Sequence, residues 1–168
     1  MGFNITRHMT PELIKLDMSI KLPEMAENGS RKKWLNHVKE AILLDLIGVL
    51  DPTGKIGNQN KLFLDFINRE KKASTGIGSG FAIPHIRSMQ AKEFMIGYGR
   101  SLEGYEYDAI DDMPVNHFFI MAAPPYEDGM YLKAFKALSE MIMFDGLGDK
   151  LMQAKEPYDV IRAMRELE

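Results

Sequence analysis

The segment from Ala73 to His85, ASTGIGSGFAIPH, gathers groups that can handle an anion: glycines at 76, 78 and 80, the hydroxyls of Ser74 and Thr75, and a histidine behind Pro84. Glycines at this spacing prevent a stable helix and favour a tight loop before a short strand. The backbone N–H groups of Gly76 and Gly78, with the Ser74 and Thr75 hydroxyls, are donors suited to a phosphate or another oxyanion. Neutral imidazole has an exposed lone pair at physiological pH, so His85 needs no deprotonation to act as a phosphoryl nucleophile. The phosphohistidine so formed stays reactive enough to pass the group on.

Two familiar glycine signatures are excluded. A dinucleotide-binding fingerprint follows a strand and opens a helix, whereas here a helical pattern precedes the glycines and Pro84 comes soon after them. No Gly-Lys-Ser/Thr sequence is present, so a Walker-type P-loop is excluded too. A single histidine near a strand end is also commonly an ordinary surface or core residue, and composition does not choose between the readings. A non-covalent anion or small-ligand site on the glycine loop stays open on the same residues.

The elements that must position these groups follow from pattern. Glu12 to Ile20 alternates apolar and polar residues and predicts an opening strand. Ser30 is a good N-cap for a helix whose apolar stripe runs through Trp34, Val38, Ile42, Leu46 and Leu50, ended by Asp51-Pro52-Thr53-Gly54. A second, shorter helix puts Leu62, Phe63, Phe66 and Ile67 on one side and ends near Arg69 to Lys72. Strands are predicted over Glu93–Tyr98 and Pro114–Ala122, separated by an acidic, turn-rich stretch from Leu102 to Asp112. Helices are predicted over Tyr131–Phe144 and from Pro157 onward. Strands bracketed by helices imply an α/β (α+β) sandwich: one domain over residues 1–168, with a mixed sheet flanked by helices.

Bulk properties narrow the function. The 168 residues are 45% hydrophobic, with 21 basic and 24 acidic side chains and a formal charge of −3, which provides no basic face for nucleic acid. The chain has no cysteine, so disulfides, thiolate metal sites and cysteine intermediates are excluded within it. His8 and His37 have no partners at metal-ligand spacing and are read as solvated; no metal and no cofactor are expected. Without a leader pattern or a long apolar run, the chain is expected to be cytoplasmic, with no direct membrane insertion.

Arg69-Glu70, Ser74-Thr75-Gly76-Ile77-Gly78 and Gly80-Phe81-Ala82-Ile83-Pro84-His85 together resemble the signature of the fructose/mannitol-type enzyme IIA family of the phosphotransferase system, which includes nitrogen-regulatory IIA proteins. Weaker similarity continues through Pro114-Val115 and Phe119 to Ala122-Ala123-Pro124 and the helix beyond. The resemblance implies that His85 is the phosphorylated histidine, fed by the phosphocarrier protein HPr or its nitrogen-branch equivalent NPr. It implies too that Arg69 lies beside His85, where an arginine holds phosphate oxygens. Taken alone, Arg69 is a helix-end residue that interacts well with a helix C-terminus.

Tyr131-Leu132 stands where the family commonly has a second histidine followed by leucine. A tyrosine there retains a hydroxyl to donate to phosphate but titrates near ~10 and offers no cation. His117 does not replace that histidine, being read as a residue of the 115–121 strand. Ile86 follows His85 where the family often has a small residue. A IIB domain of this class carries its phosphate on cysteine, so the expected partners are a separate IIB component or regulatory target proteins, and a homodimer is compatible with the reading. The runner-up is a nitrogen-regulatory-type IIA that acts chiefly as a phosphorylation-dependent binding module with weakened transfer.

Overall fold

The computed structural model describes residues 2–127 and 129–168. Its centre is a six-stranded mixed sheet made of β1 (Ile14–Lys15), β2 (Gly76–Gly78), β3 (Phe81–Ala82), β4 (His85–Arg87), β5 (Met95–Tyr105) and β6 (Val115–Ala123). The spatial order is β1-β5-β6-β3-β2, and β4 also pairs with β6. β5 and β6 run antiparallel, whereas β1 on β5, and β3 and β4 on β6, are parallel.

β6 is apolar almost throughout because both its faces are covered. Phe119, Met121 and Ala123 face one core, with α3 (Gly129–Ile142), α4 (Leu147–Gln153) and α5 (Pro157–Arg165). Phe118, Ile120 and Ala122 face the other, with α1 (Arg31–Leu50) and α2 (Gln59–Lys72). The expected sandwich with a mixed sheet between helices is the observed one.

Local signals account for most helix boundaries. The Ser30 side chain accepts from Lys33 N–H and starts α1. The 3-10 turn Asp51–Thr53 and Gly54, at φ 67°, stop it. The Asn58 side chain accepts from Lys61 N–H and starts α2, and Pro157 is the first residue of α5 behind a Glu156–Asp159 capping box.

Three expectations need correction. The opening strand shrinks to Ile14–Lys15, because Pro11–Leu13 is a 3-10 turn; beyond Lys15 the chain leaves the ladder and is held to β5 by Met18 N–H donating to Arg100 O, Arg100 Nε donating to Leu16 O and Tyr105 Oη donating to Met18 O. The acidic stretch Leu102–Asp112 is not turn throughout, since β5 runs to Tyr105, and Tyr105, Tyr107 and Ala109 are buried. The helix α4 was not expected; at seven residues it is too short to show a helical period.

Candidate functional site

β4 is short, and its pairing with β6 fixes where its side chains go. His85 is opposite Met121 and Arg87 opposite Ala123, so both point to the face covered by α3; Ile86, opposite Ala122, points to the α1/α2 face. The His85 ring lies 4.8 Å from the Phe135 ring and 6.2 Å from the Tyr131 ring, centroid to centroid. Tyr131 and Phe135 are one helical turn apart on α3 and so present neighbouring side chains. The Glu127 carboxylate caps that helix, accepting from Met130 N–H and from Tyr131 N–H.

The tautomer of His85 follows from its partner. Nδ1 is 2.5 Å from the carbonyl oxygen of Ile83, and a carbonyl only accepts, so Nδ1 carries the hydrogen. The lone pair is therefore on Nε2. Burial is the main influence on the pKa and pulls it below 6.5; the Ile83 carbonyl opposes this, while Arg69 adds to it. At neutral pH the ring is uncharged.

A cavity of about 450 Å³ opens beside this histidine, lined by Arg69, His85, Ile86, Arg87, Tyr131, Leu132 and Phe135. Arg69 belongs to the last turn of α2 and donates through Nη1 to Ala73 O, so it caps the helix end while it lines the cavity. The Arg87 guanidinium carbon lies 4.7 Å from the centre of the Tyr131 ring, a cation–π distance. Burial pushes the Tyr131 phenol above its ordinary value, so it is a neutral group at neutral pH.

Of the residues singled out in the sequence, His85, Arg69 and Tyr131 meet in this cavity, and Ser74, Thr75, Gly76 and Gly78 do not line it. The glycine run is a β-hairpin, β2 against β3, turning through Ser79 and Gly80 at φ 56° and 83°. Most of the donors named from the sequence are already used. Gly76 N–H donates to Ser74 Oγ, Ser74 Oγ donates to Tyr107 O, and Ser79 N–H donates to Asp111 Oδ2. Thr75 is buried and gives both its N–H and its hydroxyl to the Glu70 carboxylate. The glycines serve close packing: a Cβ on Gly76 would lie 2.8 Å from Ala109 Cα.

Glu70, next to Arg69, also receives Lys39 Nζ at 3.3 Å, and both side chains are buried. The pair fastens the end of α2 to α1 and, through Thr75, to the hairpin that leads to His85. His117 faces the opposite end of the sheet: its Nδ1 is 2.6 Å from Tyr98 Oη, and its ring packs on Phe81 at 4.7 Å. Burial pulls its pKa down to about 4. His8 is not simply solvated, since it stacks on Phe3 and meets Phe94 edge-on. His37 is exposed and lies 3.5 Å from Glu40.

Arg87 and Phe135 are site residues that sequence reasoning missed. The signal for Arg87 was its place two residues after His85 on a strand, which puts both on one face. For Phe135 it was the i+4 relation to Tyr131.

The fold is that of enzyme IIA proteins of the nitrogen-regulatory and mannitol kinds. The crystal structure of nitrogen regulatory protein IIA-Ntr from Neisseria meningitidis superimposes with a TM-score of 0.73 at 23% identity, over 95% of this chain and 98% of that one. The enzyme IIA mannitol chain in the complex with phosphorylated enzyme IIB from Escherichia coli gives 0.67 at 15% identity, over 94% and 97%. Residues 35–167 match the family described as phosphoenolpyruvate-dependent sugar phosphotransferase system, EIIA 2, and the chain belongs to that family. A relative in sequence is the PTS system fructose-specific EIIABC component of Bacillus subtilis, 32% identical over 123 residues, covering 73% of this chain and 19% of that protein. The chain thus spans about a fifth of that relative's length. Membership of the family supports a phosphoryl-carrier role. Among the described residues no helix is long and apolar enough to cross a membrane.

Proposed function

We propose that the whole chain, residues 1–168, is one EIIA type-2 domain that accepts a phosphoryl group on His85 from phospho-HPr or NPr and passes it to a IIB component. The observation that carries this reading is the His85 imidazole itself, with Nδ1–H committed to the Ile83 carbonyl and Nε2 without a hydrogen-bond partner among the described residues, in a cavity that Arg69 also lines. In the transfer, the Nε2 lone pair attacks phosphorus and forms an N–P bond as the donor's own N–P bond breaks, its electron pair staying on the donor nitrogen. The Nδ1 hydrogen stays where it is. The ring becomes more cationic as it takes the group, and the Ile83 carbonyl favours that charge. Arg69 meets the phosphate oxygens with a planar fork of N–H donors.

The test is incubation with phosphoenolpyruvate, enzyme I and HPr, followed by intact-mass measurement. Wild type gains one acid-labile phosphate and His85→Ala gains none. A phosphate that persists on His85→Ala sinks the assignment of the residue, and an unlabelled wild type sinks the carrier reading.

Tyr131 favours a second reading, a nitrogen-regulatory-type IIA whose phosphorylation state governs docking to target proteins. The family's second histidine is replaced by a buried, neutral ring. Under this reading a target protein binds the phosphorylated and unphosphorylated forms with different affinity, and transfer onward to IIB and sugar is slow. Comparing onward transfer to a fructose-type IIB with that of a sugar-transport IIA separates the two.

A further inference from the structure

We infer that Arg87 is a second phosphate-binding guanidinium of the His85 site, and that Tyr131 acts by holding Arg87 with its ring face instead of through its hydroxyl. The inference rests on the carrier reading above and adds a residue to it. A phosphoryl group on imidazole brings close to two negative charges into a half-buried cavity, and a single arginine offsets one of them.

Strand geometry supplies the second. His85 and Arg87 are alternate residues of β4 on one face, their Cα atoms about 6.6 Å apart at the usual strand rise. Arg87 lines the same cavity as His85 and Arg69, and together with Arg69 and Lys72 it lines the adjoining cavity of about 490 Å³. The two arginines therefore come from different elements, Arg69 from the end of α2 and Arg87 from β4, and both line the cavity that His85 lines. The Tyr131 ring centre lies 4.7 Å from the Arg87 guanidinium carbon and 6.2 Å from the His85 ring centre, so one ring neighbours both groups. A cation–π contact engages the guanidinium through its charge and not through its N–H groups, so it restrains Arg87 without competing with hydrogen bonds to phosphate oxygens. Tyr131 is a positioning residue in this arrangement. The tyrosine at this place in the chain is matched to the arginine two residues after the histidine, and the pair supplies the cation that tyrosine alone lacks.

The donor chosen for the experiment separates phosphate binding by Arg87 from a role in docking the carrier protein. Phosphoramidate phosphorylates histidine directly and needs no protein docking. With phosphoramidate as donor, Arg87→Gln is expected to label His85 on the order of 10- to 100-fold more slowly than wild type. Arg87→Lys is expected to fall between, because an ammonium keeps the charge and loses the planar fork. Tyr131→Leu slows labelling, and Tyr131→Phe recovers most of that loss. The double variant Arg87→Gln/Tyr131→Leu is no more than about twofold slower than Arg87→Gln alone, the non-additivity expected of a residue that works through its neighbour. Thermal melts establish that each variant is folded. Labelling of Arg87→Gln at the wild-type rate, or a defect confined to phospho-HPr as donor, overturns the inference and leaves the carrier reading standing. Independent, multiplicative losses in the double variant overturn the coupling to Tyr131. A wild type that takes no phosphate on His85 overturns the carrier reading and this inference with it.

Discussion

Replacing Glu70 by alanine strands a cation between α1 and α2. Lys39 Nζ lies 3.3 Å from Glu70 Oε1, and the two side chains are only 8% and 4% exposed. The other carboxylate near Lys39, that of Asp108, is 3.8 Å away and 59% exposed, so solvent screens it, and the Tyr107 ring face at 5.2 Å adds only a cation–π contact. Breaking a buried pair from one side costs about 3–5 kcal/mol, because the remaining charge is left without compensation. The Thr75 N–H and hydroxyl lose their acceptor in the same step, with bonds of 2.8 and 2.7 Å. A chain of this length loses about 2–4 °C of Tm per kcal/mol, so Glu70→Ala is expected to melt about 6–20 °C lower. The double variant Lys39→Met/Glu70→Gln removes both charges, keeps the aliphatic volume and leaves Thr75 an amide oxygen to bond. It should fall within about 2 kcal/mol of wild type. The assay is urea unfolding followed by circular dichroism, with midpoint and slope both recorded. Glu70→Ala within about 1 kcal/mol of wild type, or a double variant as unstable as Glu70→Ala, refutes the argument from stranded charge.

Three further outcomes follow from the same structure. His117 is neutral when folded, with a pKa of about 4 against an ordinary 6.5, so the unfolded chain takes up a proton first as pH falls. Stability should thus drop by roughly 2 kcal/mol between pH 7 and pH 5 on account of His117, and urea melts of His117→Gln, itself less stable at pH 7, should lose that part of the pH dependence. The acceptor form of His85 is its neutral ring, and burial lowers its pKa, so labelling by phosphoramidate should hold level from pH 8 down to the ordinary histidine range and fall only below it; a ring titrating above that range by NMR contradicts this. Gly76→Ala brings a Cβ to 2.8 Å from Ala109 Cα, which is backbone and yields little, and should cost about 1–3 kcal/mol in the same urea assay.

Much of the site was legible because its signals are local. His85, Arg69 and Tyr131 were each named from sequence, and all three line one cavity. Ser74, Thr75, Gly76 and Gly78 were also named, and none of them lines that cavity. A run of glycines beside hydroxyls reads the same whether its donors are vacant or already bonded. Here Tyr107, Asp111 and Glu70 occupy the donors or pack against them, and two of these three lie more than thirty residues along the chain from their partners.

What the sequence determined by itself is what short-range physics governs. Ser30, Asn58 and Pro157 start helices because a cap or a fixed φ acts within one turn. The composition of residues 114–122 implies a strand, and Pro84 directly before His85 implies a restrained imidazole. The tertiary structure decided the rest. Whether β5 continued into the acidic stretch depended on pairing with β6, and whether the Ser74 hydroxyl and the Ser79 N–H were available depended on Tyr107 and Asp111 folding beside them. The meeting of Arg69, Arg87 and Tyr131 with His85 in one cavity depended on α2, β4 and α3 packing at one end of the sheet. Hydrogen-bond partners and facing side chains in a sheet come from segments distant in sequence, and only the assembled layers bring them together.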